Sequence, residues 1–159
     1  MNDGEFVERY REHLPSVTKF LARRVEPQQV EDLCSEVFEI AWRKRESAPA
    51  GYELAWLFRI AGHLVNNHRR KHHTAYRFAH LFSIEHYAPS AESIALKDME
   101  LAGAWALLKP AEQQVLALAV LDDLPIKQVA KVLGLSPNAV SVRLSRARTR
   151  LAELLKVAD

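Results

Sequence analysis

Apolar residues along this chain recur at helical spacing, and no stretch sustains the alternation of a strand. Phe6, Tyr10, Leu14, Val17, Phe20 and Leu21 outline a first helix, with Pro15 marking a break or kink within it. Pro27 closes that region, and Val30, Leu33, Val37, Phe38, Ala41 and Trp42 outline a second. Ser47 to Gly51 reads as a loop by composition. Leu54, Leu57, Phe58, Ala61, Leu64 and Val65 outline a third helix, which runs on into a basic stretch. Periodicity then weakens, and Pro89 with its flanking serines marks residues 83–93 as a linker. Leu96, Met99, Leu107 and Leu108 outline a fourth helix, and Pro110 opens a fifth that ends near Asp122 and Asp123. A short sixth and a long seventh follow. The pattern predicts an all-α chain of two small helical domains, residues 1–82 and 94–159, joined by that short linker.

The last third carries the most specific local pattern. Ile126, Val129, Ala130 and Leu133 form one stripe on a short helix. Gly134 stands where that helix stops, because glycine accepts the left-handed conformation that ends it. Leu135 is an apolar plug in the turn, Ser136 can cap the next helix, and Pro137 suits its first turn. Val140, Leu144, Ala147 and Leu151 form the inward stripe of the long helix. Its outer surface holds Asn138, Ser141, Arg143, Ser145, Arg146, Arg148 and Arg150. A helix of this kind fits the major groove, its N-terminal residues toward base edges and its arginines toward phosphates. The alternative, an amphipathic helix with a merely solvated basic face, does not account for the short helix, glycine turn and cap that precede it.

Charge sharpens the division. The net charge is only +2 over 159 residues, but it is unevenly spread. From His63 to His80 the chain has Arg69, Arg70, Lys71 and Arg77 and no acid. Beyond Pro137, Arg143, Arg146, Arg148, Arg150 and Lys156 face only Glu153 and Asp159. Between Glu26 and Glu53, by contrast, lie Glu31, Asp32, Glu36, Glu39 and Glu46. Two basic segments and one acidic segment suggest two contacts with a polyanion and a third with a different partner. The single cysteine, Cys34, falls among apolar-periodic positions and reads as a buried, inert thiol in a reducing compartment. No basic-then-apolar leader opens the chain, and no apolar run approaches the roughly 20 residues that span a bilayer. The expectation is a cytoplasmic protein without membrane insertion.

The third helix combines aromatics with a polar, basic end. Trp56, Leu57, Phe58 and Arg59 lead to His63, Asn66, Asn67, His68, Arg69, Arg70 and Lys71. Such a helix suits unstacked bases beside a phosphate backbone. At helical spacing Trp56 and Phe58 equally suit a core. His68 and His72, four apart, could pair on a metal, but no glutamate of the zinc-protease pattern lies between them and no cysteine joins them. No metal is expected, and the histidines' simpler role is partial positive charge.

At this point the chain resembles the extracytoplasmic-function sigma factors, the minimal two-domain form of the sigma-70 family of bacterial RNA polymerase. In the first half the resemblance rests on Glu31-Asp32-Leu33-Cys34-Ser35-Glu36-Val37-Phe38, on Ala41-Trp42-Arg43, and on Ala55-Trp56-Leu57-Phe58-Arg59-Ile60-Ala61. In the second half it rests on Leu107-Leu108-Lys109-Pro110-Ala111-Glu112-Gln113-Gln114-Val115-Leu116, on Ile126 through Ser136, and on Val140 through Arg148. The order and spacing of these blocks carry it.

The resemblance implies a three-helix domain like sigma region 2 and a helix-turn-helix domain like region 4. It implies that Asp32, Leu33, Glu36 and Phe38 dock on the clamp helices of the largest polymerase subunit, with a further contact to the flap region. The third helix and the loop after it resemble the part that opens the −10 element and captures a flipped base. That role falls on Trp56, His63, Asn66, Asn67, Arg69, Arg70 and Lys71. The last helix resembles the −35 reader, with Ser141, Val142 and Ser145 toward bases and Arg143, Arg146 and Arg148 near the backbone. Partners implied are core polymerase, promoter DNA and an anti-sigma factor; no cofactor and no catalytic residue is implied. After Ile60-Ala61 the family commonly has Arg-Asn, whereas this chain has Gly62-His63. Its Ser141-Val142 also departs from the frequent Lys-Ser or Arg-Ser. A free-standing helix-turn-helix regulator is the alternative, against which the acidic second and basic third helices argue.

Overall fold

The computed structural model describes residues 2–72 and 87–157. Arg77 of the basic stretch and residues 83–86 of the expected linker lie outside the described residues. Among the described residues all regular structure is helical, and no helix is long and apolar enough to cross a membrane. The chain divides into two units between Tyr87 and Ala88.

The first unit holds α1 (Asp3–Arg11), α2 (Leu14–Ala22), α3 (Pro27–Arg43) and α4 (Glu53–His72), with a 3₁₀ turn at Arg45–Ser47. A capping box starts α1: Asn2 Oδ1 accepts from the Glu5 N–H at 2.9 Å, and Glu5 Oε2 accepts from the Asn2 N–H at 3.1 Å. The first outlined helix is thus two, because Pro15 is accommodated only in the opening turn of α2, where a missing N–H costs nothing. Helices α2, α3 and α4 pack on one another. Val17, Phe20, Leu21, Val37, Ala41, Leu57, Ala61 and Val65 are fully buried between them, and Phe20 stacks on Phe58 at 4.6 Å. Phe58 is therefore core, and Cys34 is buried. Helix α1 is held by Phe6 and Tyr10, whose rings meet Trp42 at 5.2 Å and Trp56 at 6.3 Å.

The second unit holds α5 (Ala91–Ala95), α6 (Met99–Ala106), α7 (Pro110–Leu116), α8 (Ile126–Leu133) and α9 (Pro137–Val157). The fourth outlined helix differs from its expectation. Asp98 accepts from the Leu101 N–H at 3.0 Å and restarts the helix there, so α5 and α6 are separate. Of the outlined stripe only Leu108 is buried; Leu96, Met99 and Leu107 are 89%, 75% and 65% exposed. The buried side is Ile94, Ala102, Ala104, Trp105 and Leu108, and the Trp105 indole N–H donates to the Pro89 carbonyl at 2.9 Å. The small Ala102 and Ala104 let this face approach its neighbours closely beside the larger Trp105 and Leu108. After α7 the chain loosens into a π-helical turn, Ala117–Leu121, where the Asp122 N–H reaches back to the Ala117 carbonyl at 2.9 Å. Asp123 at φ 54° then turns the chain into α8.

The Tyr10 hydroxyl is buried and, among the described residues, has no hydrogen-bond partner. Burial, and secondarily the nearby Glu53 carboxylate, push its pKa above the ordinary value near 10.0. The fold therefore favours the neutral phenol. Its stabilising effect is present below the ordinary value and is lost as pH rises through the higher folded one. Tyr10→Phe should leave stability at neutral pH unchanged, or raise it by up to about 1 kcal/mol. It should also flatten the alkaline loss that thermal melts record above about pH 10.

Candidate nucleic-acid interface

The turn between α8 and α9 is built by local chemistry. Gly134 takes the left-handed conformation at φ 67° and ψ 35°, and the Leu135 N–H bonds the Ala130 carbonyl at 3.0 Å. Ser136 Oγ then accepts from the Ala139 N–H at 3.1 Å, and Pro137 is the first residue of α9. On α8 the buried positions are Val129, Ala130 and Val132, with Leu133 half-buried and Ile126 exposed, a stripe rotated slightly from the expected one. Helix α9 packs on α6, α7 and α8 through Val140, Leu144 and Ala147, with Leu151 half-buried.

At one hundred degrees per residue, Asn138, Val142 and Ser145 line the side of α9 opposite that stripe, all exposed. Arg146 stands beside them. Half-buried Ser141 and exposed Arg148 lie on one flank, and exposed Arg143 and Arg150 on the other. The helix thus presents a narrow, weakly polar ridge between two flanks of arginine. A major groove presents base edges between two phosphate walls, which is the complementary arrangement.

Helix α4 brings only part of its expected set to the surface. Trp56, His63, Asn67 and Arg70 fall on one stripe, with Lys71 at its edge. His63, Asn67 and Lys71 are exposed, Trp56 and Arg70 half-buried, and Arg70 donates to Asn67 Oδ1. Asn66, by contrast, is 4% exposed and belongs to the interior. Arg69 turns inward too, its Nη2 donating to the Arg24 carbonyl at 3.1 Å. His68 Nε2 lies 3.0 Å from Glu26 Oε2 and its ring sits 4.5 Å from that of His72. Among the described residues no group of three or more His, Cys, Asp or Glu side chains is placed to hold a metal ion. Arg69, Arg70, Lys71 and His72 occupy the last turn of α4, where cations meet the negative end of the helix dipole.

Helix α3 carries the acidic face. Asp32 and Glu36 are exposed and share one stripe. Leu33 is 8% exposed and packs inward, while Phe38 is half-buried on a different side of the helix. Three residues outside the sequence-derived sets share these faces: Arg59, four before His63; Glu39, three after Glu36; and Thr149, four after Ser145. Their spacing was the available signal. The Thr149 hydroxyl is occupied, donating to the Ser145 carbonyl at 3.1 Å.

Comparison with known proteins gives two family-model matches, Sigma-70 region 2 over residues 9–74 and Sigma-70 region 4 over residues 98–151. No curated protein matches the chain. Among solved structures, the sigma factor RpoE in complex with the anti-sigma factor NepR, from Bartonella quintana, superposes with a TM-score of 0.64 at 26% identity, covering 96% of this chain and 98% of that one. CnrH in complex with the cytosolic domain of CnrY superposes with a TM-score of 0.61 at 25% identity, covering 98% and 88%.

The α8–α9 turn yields a graded stability series. Gly134→Ala should cost about 1–2 kcal/mol, since a Cβ opposes the left-handed conformation. Ser136→Ala should cost about 1 kcal/mol and Ser136→Gly a few tenths. Denaturant unfolding of the second unit checks the order; equal losses for Ser136→Ala and Ser136→Gly would contradict a side-chain cap.

Proposed function

We infer, from a chain that belongs to the sigma-70 family and is an RNA polymerase sigma factor of the extracytoplasmic-function type, how three helix surfaces divide the work of initiation. The observation that carries the reading is on α9: a ridge of Asn138, Val142 and Ser145 between arginine flanks, directly opposite the buried stripe. In this reading the ridge, with Ser141 beside it, meets base edges of the −35 element. Arg143 and Arg148 meet phosphates of opposite strands, with Arg146 beside the ridge. Valine and serine on the ridge favour short contacts, among them the thymine methyl, over the bidentate pairing with guanine that arginine would give.

Helix α4 supplies the −10 face. Arg59, His63, Asn67, Arg70 and Lys71 track the backbone, and Trp56 begins the same stripe with an aromatic surface. Opening duplex costs a few kcal/mol per unstacked step, which these contacts offset. Asn66 and Arg69 serve this face from behind, as part of the packing that holds α4 in place.

Asp32 and Glu36, extended by Glu39, form the polymerase-docking face of α3, against basic positions on the clamp helices of the largest subunit. The second unit takes the contact with the flap region. The chain contributes specificity, not chemistry. An anti-sigma factor is a further partner in this reading, supported by the complex in which the Bartonella quintana relative was solved.

Joint alanine substitution of Asp32 and Glu36 should weaken core-polymerase binding at least about tenfold, or 1.4 kcal/mol. Both side chains are exposed, so the melting temperature should not move. Unchanged affinity would remove α3 from the docking surface, as a free-standing regulator requires. Arg143→Ala and Arg148→Ala should each weaken promoter binding by the holoenzyme across sequences and lower the salt slope by about one. Substitutions at Asn138 or Ser145 should instead change the preferred −35 bases in a promoter-library selection. A salt slope unaltered by either arginine would contradict phosphate contacts there.

A further inference from the structure

Gly62 lies in the interior of α4, where glycine is less favourable than alanine. Its surroundings account for it. A Cβ at this position would lie 2.5, 2.6 and 2.8 Å from Cζ, Cε1 and Cε2 of Tyr87. The hydroxyl-bearing end of that ring therefore rests directly on the helix backbone. Tyr87 is fully buried and is the last residue of the first unit, the point at which the chain leaves it.

A buried guanidinium secures the same residue from the other side. Arg24 is 6% exposed, with its Cζ 3.7 Å from the centre of the Phe20 ring. Its Nε donates to the Tyr87 carbonyl at 2.7 Å and its Nη1 to the Phe20 carbonyl at 3.0 Å. The backbone of Arg24 is committed elsewhere: its carbonyl accepts from Arg69 Nη2 at 3.1 Å, and two residues on, Glu26 meets His68 at 3.0 Å. One short segment between α2 and α3 thus grips the departing chain with a side chain and the last turns of α4 with a carbonyl and a carboxylate.

We propose that Tyr87 is a plug seated on Gly62, and that Arg24 couples this plug to the basic end of α4. Tyr87, Gly62 and Arg24 are then positioning residues for the face formed by His63, Asn67 and Arg70. The acceptor that Arg24 Nε uses is the main-chain carbonyl of Tyr87, so the coupling acts through the backbone: without the ring to seat it, that carbonyl shifts from its place 2.7 Å from a buried charge, and Arg24 rearranges with it. The carbonyl of Arg24 moves in turn, and the hydrogen bond that this carbonyl accepts from Arg69 Nη2 is weakened. The functional half of this inference rests on α4 being the −10 face; the plug and seat do not.

The test is a double-substitution cycle in the full-length chain, with Gly62→Ala, Tyr87→Ala and the pair. A seated ring predicts a sign reversal. Gly62→Ala should lower the melting temperature of the wild type, because the Cβ expels the ring, and raise it in the Tyr87→Ala background, where helix propensity alone remains. Tyr87→Leu replaces Tyr87→Ala if the latter does not fold. Gly62→Ala raising the melting temperature of the wild type, or acting alike in both backgrounds, would overturn the plug. Amide exchange across residues 66–72 should quicken in the Tyr87 variant, and unchanged protection there would overturn the coupling. With core polymerase, the Tyr87 variant should bind as the wild type does but open promoter DNA at least tenfold more slowly. Normal opening with quickened exchange would overturn the positioning role. Wild-type holoenzyme that never opens DNA would instead remove the reading of α4, while the melting cycle still judges the plug.

Discussion

Each long helix of this chain must bury one stripe to fold and leave the opposite stripe in water, and the three proposed contact surfaces exist because of that constraint. On α9, Val140, Leu144 and Ala147 are buried and Asn138, Val142 and Ser145 face outward. Fully burying a valine or leucine contributes about 1.5–3 kcal/mol, whereas exposed polar positions contribute little to stability. The outward ridge is therefore free to be shaped by what it binds. The angle at which it is presented is set by a few local elements: left-handed Gly134, the Ser136 cap and Pro137. Helix α4 is more constrained, since it buries apolar residues against α2 and α3 and takes the Tyr87 ring on a further side.

The parts of this architecture legible in the sequence are those decided within a few residues. A glycine that must adopt positive φ, a serine that must cap and a proline confined to a first turn leave the same signature wherever they occur. The α8–α9 turn and the break at Pro15 belong to this group. What escapes is decided by distant neighbours. Leu96, Met99 and Leu107 look like a core stripe and are exposed, because Ala102, Ala104 and Trp105 take that role. Asn66 and Arg69 look like surface groups in a basic run, yet one is interior and the other is tied to the Arg24 carbonyl. Leu33 likewise packs inward beside the exposed Asp32. Gly62 stands out in sequence as a departure from the family's commoner arginine, but its reason is a tyrosine ring contributed by the far end of the unit.

Electrostatics separates the partners. In the proposed division the exposed acids of α3 face one macromolecule and the basic faces of α4 and α9 another, while the net charge is +2. A small net charge limits non-specific attraction to DNA at large. In this reading the two basic faces bind weakly alone and gain specificity when both are held on one scaffold, because the second contact is then made at high effective concentration. In this account polymerase provides that scaffold.

Reconstituted run-off transcription on a pool of genomic fragments tests this account most directly. Core polymerase supplied with this protein should initiate at fragments that share both a −35 and a −10 motif, and the protein alone should bind those fragments only weakly. Tight binding to a duplex site without core, together with no initiation from any fragment when core is added, would contradict it.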